Sequence, residues 1–120
     1  MPNDSNNQTL HDDSTPVSQL RALVREFVDE RNWQTFHNPK NLAMSLAIET
    51  GELLEHFQWL TMEEALAVKD DAERKHAAGE ELADCLAYVI AIANTMDIDL
   101  SETLRKKMIR NKEKYPVGEC

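Results

Sequence analysis

The chain has 120 residues, with 13 Lys and Arg against 22 Asp and Glu, a formal charge of −9, and only 3 Gly and 4 Pro. That length suits a single domain, and the shortage of Gly and Pro beside abundant Ala, Leu, Glu and Lys favours helix. The acidity argues against a simple nucleic-acid binder, which would be basic, and no run reaches the roughly 20 apolar residues of a membrane helix.

Residues 1–15, MPNDSNNQTLHDDST, are polar with almost nothing to bury, and a disordered tail is expected there. No basic start followed by an apolar core marks a signal peptide, so a cytoplasmic protein is expected. Thr15-Pro16 reads as an N-cap and first helical residue. The first helix then runs from about residue 16 to 32, with Val17, Leu20, Leu23, Val24, Phe27 and Val28 at helical spacing. After the loop NWQTFHNPK, Asn38-Pro39 repeats the start signal for a second helix to about Trp59. Thr61 and Glu64 form a capping-box pattern for a short helix to about Lys69. A long helix follows over about residues 71–96, then the turn MDIDLS, then a last helix over about residues 100–114. Six of the 13 basic residues fall between Arg105 and Lys114, so an acidic body carrying one basic segment is still able to bind a small anion, particularly with a metal between them. Cys85 and Cys120 are too few and poorly spaced for a disulfide framework and are expected as free thiols.

The second helix and the long helix are apolar on more than one side. At about 100° per residue, Leu82, Leu86, Val89 and Ala93 share one face of the long helix, with Glu81, Asp84 and Tyr88 roughly opposite. In the second helix Ala43, Ala47, Leu54 and Phe57 lie across from Glu49, Glu52 and His56. Helices this apolar expect burial, which about 100 residues in four helices do not supply well. An all-α, four-helix-bundle-type fold completed by oligomerisation is therefore expected, with the acidic stripes facing an internal cleft.

Those stripes carry the chemistry. Residues three apart on a helix point the same way, with Cβ atoms ~5–6 Å apart. Glu49-x-x-Glu52 and Glu81-x-x-Asp84 are thus two carboxylate pairs on two helices, and like charges brought together repel unless a cation lies among them. All-oxygen ligation suits Mg2+ or Mn2+, and Mg2+ usually bridges carboxylates to substrate phosphates. A single Glu-x-x-Glu is ordinarily a solvated pattern; two pairs on helices this apolar, each with an aromatic nearby, are not. A di-iron bundle would need Glu-x-x-His on two helices, and Glu73-Arg-Lys-His76, in a polar stretch, is the one instance.

The stretches ETGELLEHFQW and EELADCLAYVIAIA, an E-x-x-E followed at a distance by E-x-x-D, resemble the MazG-like all-α nucleoside triphosphate pyrophosphohydrolases, most nearly their dCTP pyrophosphatase branch. RNWQTFHNPKNL before the first pair, FQW after it and KKMIRNKEKYP near the end extend the resemblance over about residues 16–116, which leaves tails at 1–15 and 117–120. It implies hydrolysis of a (deoxy)nucleoside triphosphate, with dCTP or a modified dCTP favoured, to monophosphate and pyrophosphate, as nucleotide-pool housekeeping. It also implies Mg2+ held by Glu49, Glu52, Glu81 and Asp84, which are the catalytic residues, and a homotetramer built as a dimer of dimers. By position, Trp33 and Trp59 match aromatics that contact the base, and His37 and Asn41 lie in the matched loop-to-helix segment. Tyr88, Lys107, Asn111 and Tyr115 match residues near the nucleotide. This chain has Val24 where some cytosine-preferring animal members carry His, so the resemblance leaves the base preference open.

The residues themselves lead the same way. Lys107 and Asn111 share a face with Leu100, Leu104 and Met108 of the last helix, and inward Lys and Asn suit a phosphate and a sugar hydroxyl; a snorkelling Lys is the plainer alternative. Trp33 and Trp59 each sit at a helix end among polar neighbours, where an aromatic can stack a base, or else serve as core. On this reading water oriented by one of the carboxylates attacks the α-phosphorus, with Lys107 helping to hold the charge of the departing pyrophosphate. Two rivals stand beside it. One is a non-enzymatic helical oligomerisation module, which would not need both acid pairs. The other is the same fold acting on another phosphate substrate, such as a phosphoribosyl intermediate, for which the Trp pair would have no base to stack on.

Overall fold

A computed structural model of the chain describes residues 9–118, and among them every regular element is helical. Helix α1 spans Val17–Glu30, α2 Pro39–Glu55, α3 Met62–Ala67, α4 Ala72–Met96 and α5 Leu100–Lys114, with a 3-10 turn at Val68–Asp70 after α3. Among the described residues no helix is long and apolar enough to cross a membrane. Most of the N-terminal stretch expected to be disordered, and Cys120, lie outside the described residues. His11 to Thr15 form a closed turn, with the backbone N–H groups of Ser14 and Thr15 both donating to His11 O.

Local chemistry sets most of the helix starts. Asn38 caps α2 by accepting from the Asn41 N–H at 3.0 Å, and Pro39 fills the first turn, where its missing N–H costs nothing. Thr61 and Glu64 form a reciprocal capping box, with contacts of 3.1 and 2.8 Å. Asp71 and Asp99 cap α4 and α5 by accepting from Arg74 and Glu102 N–H. Asp97 ends α4 in the left-handed region, φ 53°, and its N–H returns to Ala93 O.

Two local expectations are corrected. Thr15 does not cap α1; its Oγ1 accepts from the His11 N–H in the preceding turn, and α1 starts at Val17 behind Pro16, an N-cap that offers no side-chain hydrogen bond. Helix α2 does not continue to Trp59. It ends at Glu55, and the backbone tightens, with His56 N–H bonded to Leu53 O and Phe57 N–H to Leu54 O.

The packing is centred on α4, which lies against α2 along most of their shared length, against α1 and against the 3-10 turn. Val28, Leu42, Val68, Cys85, Ile90, Ala91 and Ala93 make the buried core, with Leu42 and Ala93 each only 2% exposed. An Arg21–Asn94 staple fastens α1 to the end of α4. Arg21 Nε donates to Asn94 Oδ1 at 3.0 Å, Nη2 to Ala93 O at 3.1 Å, and Asn94 Nδ2 returns a bond to Arg21 O.

Much of the apolar surface stays bare. Met44, Ile48 and Leu54 of α2 and Leu82, Leu86 and Val89 of α4 are exposed. Ala93, expected to share their environment, is buried instead, because Arg21 brings α1 across that end of α4. Among the described residues α5 has no extended contact with another helix, so the inward face expected for Lys107 and Asn111 does not exist within one chain. The radius of gyration, 17.1 Å, exceeds the about 13.6 Å of a compact chain this long.

Candidate metal centre and adjoining cleft

The α2–α4 contact turns one stripe of each helix toward the other. Glu49 and Glu52 come from α2 and Glu81 from α4, and each offers a carboxylate oxygen within 4.8 Å of the others'. Glu52 thus stands beside both Glu49 and Glu81. Glu49 Oε2 and Glu81 Oε2 are shielded from water and have no hydrogen-bond partner among the described residues.

That arrangement is costly without a counter-charge. The Glu49 and Glu81 carboxyls are both pushed above their ordinary value, first by burial and then by the charge of Glu52 beside them. Asp84 adds to the repulsion on both, while His56 eases it for Glu81. The Cys85 thiol, buried behind the acids, is raised too, first by burial and then by Glu49, Glu81 and Asp84. It is a free, buried cysteine and not an activated one.

Hard carboxylate oxygens that converge with orphaned lone pairs are a donor set for Mg2+ or Mn2+. The residues present therefore fit a divalent cation. Asp84 stands a step away from the convergence. It is exposed, and it lines a neighbouring cleft of about 420 Å³ together with Leu23, Val24, Phe27, Trp33 and Tyr88. This volume falls within the ~300–1,000 Å³ typical of small-molecule sites.

The cleft is walled by α1 on one side and α4 on the other, with the loop after α1 closing it. Asn32, at φ 55°, turns the chain so that the Trp33 N–H bonds to Val28 O, and Trp33 then packs edge-on against Phe27 with ring centres 5.6 Å apart. His37 is half-buried, 6.3 Å from Trp33 between ring centres, and also lines the cleft. Asn41 does not reach it; its Nδ2 donates to Phe36 O and braces the loop that carries His37.

The remaining candidate residues lie elsewhere in the isolated chain. Trp59 is 85% exposed in the turn after α2. Lys107 and Tyr115 are exposed on or just beyond α5, and Asn111 is half-buried, with its Nδ2 against Met108 Sδ. Phe27 and Val28, which help wall the cleft, were visible in the sequence only as helix-spaced apolar residues, and the Arg21–Asn94 staple that holds the wall had no local signal.

A family profile described as MazG-like matches residues 44–120, a span that includes both acid pairs. The chain is 39% identical over 101 residues to dCTP pyrophosphatase 1 of Mus musculus, covering 84% of this chain and 59% of that protein. It is 40% identical over the same length to dCTP pyrophosphatase 1 of Bos taurus, covering 60% of it. It thus spans about 60% of the length of these curated relatives. A pyrophosphatase from Archaeoglobus fulgidus, known from its crystal structure, superposes with a TM-score of 0.78 at 38% identity, over 90% of this chain and 99% of that one.

Proposed function

The chain belongs to the MazG-like family, and from that premise we propose that it is a Mg2+-dependent pyrophosphohydrolase of deoxynucleoside triphosphates, dCTP or a modified dCTP before others. The observation that carries this reading is the meeting of the orphaned Glu49 and Glu81 oxygens with an aromatic-walled cleft into which Asp84 opens. A cation site beside a base-sized apolar cleft suits a ligand with charged phosphates at one end and a flat ring at the other. The chain's similarity to dCTP pyrophosphatase 1 and to the archaeal pyrophosphatase supports it.

Glu49, Glu52 and Glu81, with Asp84 at the cleft side, would hold the cation. Bound there, it would supply positive charge against the phosphates and favour ionisation of water. The remaining work falls to the chain. Trp33 and Tyr88 hold the base in the cleft, with His37 at its rim, and one of the carboxylates orients water toward the α-phosphorus. Cleavage between the α- and β-phosphates releases monophosphate and pyrophosphate.

Lys107, Asn111 and Tyr115 join this site through another copy of the chain, because among the described residues α5 has no extended contact with another helix, and Trp59 and Asn41 meet the nucleotide at the same junction. The bare faces of α2, α4 and α5 support a homotetramer, a dimer of dimers. The enzyme would act on the free nucleotide pool in the cytoplasm.

The test is direct. The full chain is incubated with Mg2+ and each common and modified (d)NTP, and products are separated by chromatography. Monophosphate and pyrophosphate in equal amounts are expected, with none after chelation. Release of inorganic phosphate instead, or no turnover of any nucleotide, defeats the reading.

A further inference from the structure

A second cavity abuts the cleft. It measures about 200 Å³ and shares Val24, Val28, His37 and Ala91 with the cleft, and its remaining lining residues, Arg25, Asp29, Gln34, Asn94 and Thr95, bring polar groups to walls that are mostly apolar. It is smaller than a self-standing ligand pocket, which typically holds ~300–1,000 Å³. It is sized to take the edge of a ring seated in the cleft beyond Val24 and His37.

Its polar groups present a fixed pattern. Gln34 Nε2 donates to Asp29 Oδ1 at 3.0 Å. An ionised carboxylate only accepts, so the Gln34 amide has one stable orientation, with its NH2 toward Asp29 and its carbonyl oxygen free to accept. On the other flank Arg25 Nη2 is anchored to Asn94 Oδ1 at 3.2 Å, and the rest of its guanidinium carries only donors. The cavity therefore offers acceptors at Gln34 and Asp29 and donors at Arg25.

We propose that Gln34, oriented by Asp29, is the specificity-determining residue that selects bases bearing an exocyclic amino group, with Arg25 serving the ring's acceptor atoms. The proposal rests on the pyrophosphohydrolase reading above. Cytosine presents an amino donor followed by acceptors along its hydrogen-bonding edge, which matches the cavity. Uracil presents a carbonyl where cytosine has the amine, and that carbonyl would face the Gln34 oxygen with no proton between them. A site that places an acceptor for an amine rejects the analogue lacking it because its own polar group is left unpaired.

The experiment measures dCTP against dUTP with the full-length protein and Mg2+, both as kcat/KM and as equilibrium binding. Wild type should favour dCTP. Gln34→Leu should cut the dCTP-to-dUTP ratio on the order of tenfold. Asp29→Asn should lower it as well, since an Asn side chain can donate to the Gln34 oxygen and turn the amide NH2 toward the base. Both residues are exposed, so both variants should fold, and a purely structural role would not alter a ratio between two nucleotides. An unchanged ratio in either variant, or a wild type indifferent to the two bases, overturns the assignment. Selective binding without hydrolysis overturns the catalytic reading and leaves this one standing, and no binding of either nucleotide overturns both.

Discussion

Glu49 and Glu81 face one another across the α2–α4 contact, each with an Oε2 shielded from water and unpartnered. The folded chain thus holds two carboxyls that bind protons more readily than the same groups do unfolded. By linkage, the stability tied to them is full below the ordinary carboxylate value of 4.5 and is lost as pH rises through their raised values. The melting temperature of metal-free Glu81→Gln should therefore exceed that of metal-free wild type at neutral pH, and the gap should close on acidification. Because the comparison is a difference, it cancels groups that titrate in the opposite sense, such as Glu64, whose carboxyl is lowered by the Thr61 backbone N–H. Mg2+ should raise the wild-type melting temperature by mass action and do much less for the variant. A variant less stable than wild type without metal would mean that the two acids do not repel.

Turnover should depend on the same charges. Glu52→Gln or Asp84→Asn should abolish pyrophosphate release while circular dichroism shows unchanged helix content, since neither residue belongs to the buried core. Full activity in either variant would remove it from the proposed site.

How much of this was legible in the sequence depended on range. The caps at Asn38 and Thr61 were readable because the signal and its partner lie within three residues. The acid pairs were readable because helical spacing puts Glu49 beside Glu52 whatever else happens. Asn94 was not, since its partner Arg21 lies 73 positions away and neither residue has a distinctive neighbour. Helix α5 illustrates a different limit. Leu104 and Met108 predicted a buried face, but they are 62% and 49% exposed; a periodic pattern says that a face is apolar and not which chain covers it. The second cavity was invisible for a third reason, because no motif or spacing marks Asp29 or Gln34 until the fold sets them beside the cleft.

The Arg21–Asn94 staple ties together α1 and α4, the two helices that wall the cleft. Asn94→Ala leaves the part-buried Arg21 guanidinium short of an acceptor, a loss on the order of 1–3 kcal/mol. Denaturant melts should show that destabilisation. KM should rise more than kcat falls, because the base cleft loosens while the α2–α4 acids stay in register. Equal losses in both, or weakened Mg2+ binding, would mean that the staple supports the whole site and not the cleft wall.

Leu86 tests the assembly. It is 49% exposed in the single chain and is not part of its buried core, so Leu86→Glu removes only part of a side chain's packing within it, and folding should survive. A charge placed in an apolar contact between copies is unfavourable. Light scattering should report a smaller particle than wild type, with helix content retained. An unchanged mass would exclude this face from the interface.

The two tryptophans separate base contact from core. Trp33 packs on Phe27 within the chain, whereas Trp59 is 85% exposed. Trp59→Ala should therefore leave the stability of the chain nearly intact, unlike the about 3–5 kcal/mol lost on deleting a buried Trp. If Trp59 stacks on the base, the loss of about 1–3 kcal/mol lowers kcat/KM about five- to 150-fold, since 1.36 kcal/mol is tenfold. The loss should fall mainly on KM if stacking holds ground and transition states alike. Trp59 does not line the cleft of its own chain, so its contact with the base is expected to come from a neighbouring copy. In a Leu86→Glu background that no longer assembles, Trp59→Ala should then cost nothing further, whereas Trp33→Ala should still weaken nucleotide binding. An additive effect of Trp59→Ala in the dissociated protein would place the contact within one chain and remove the argument for a shared site.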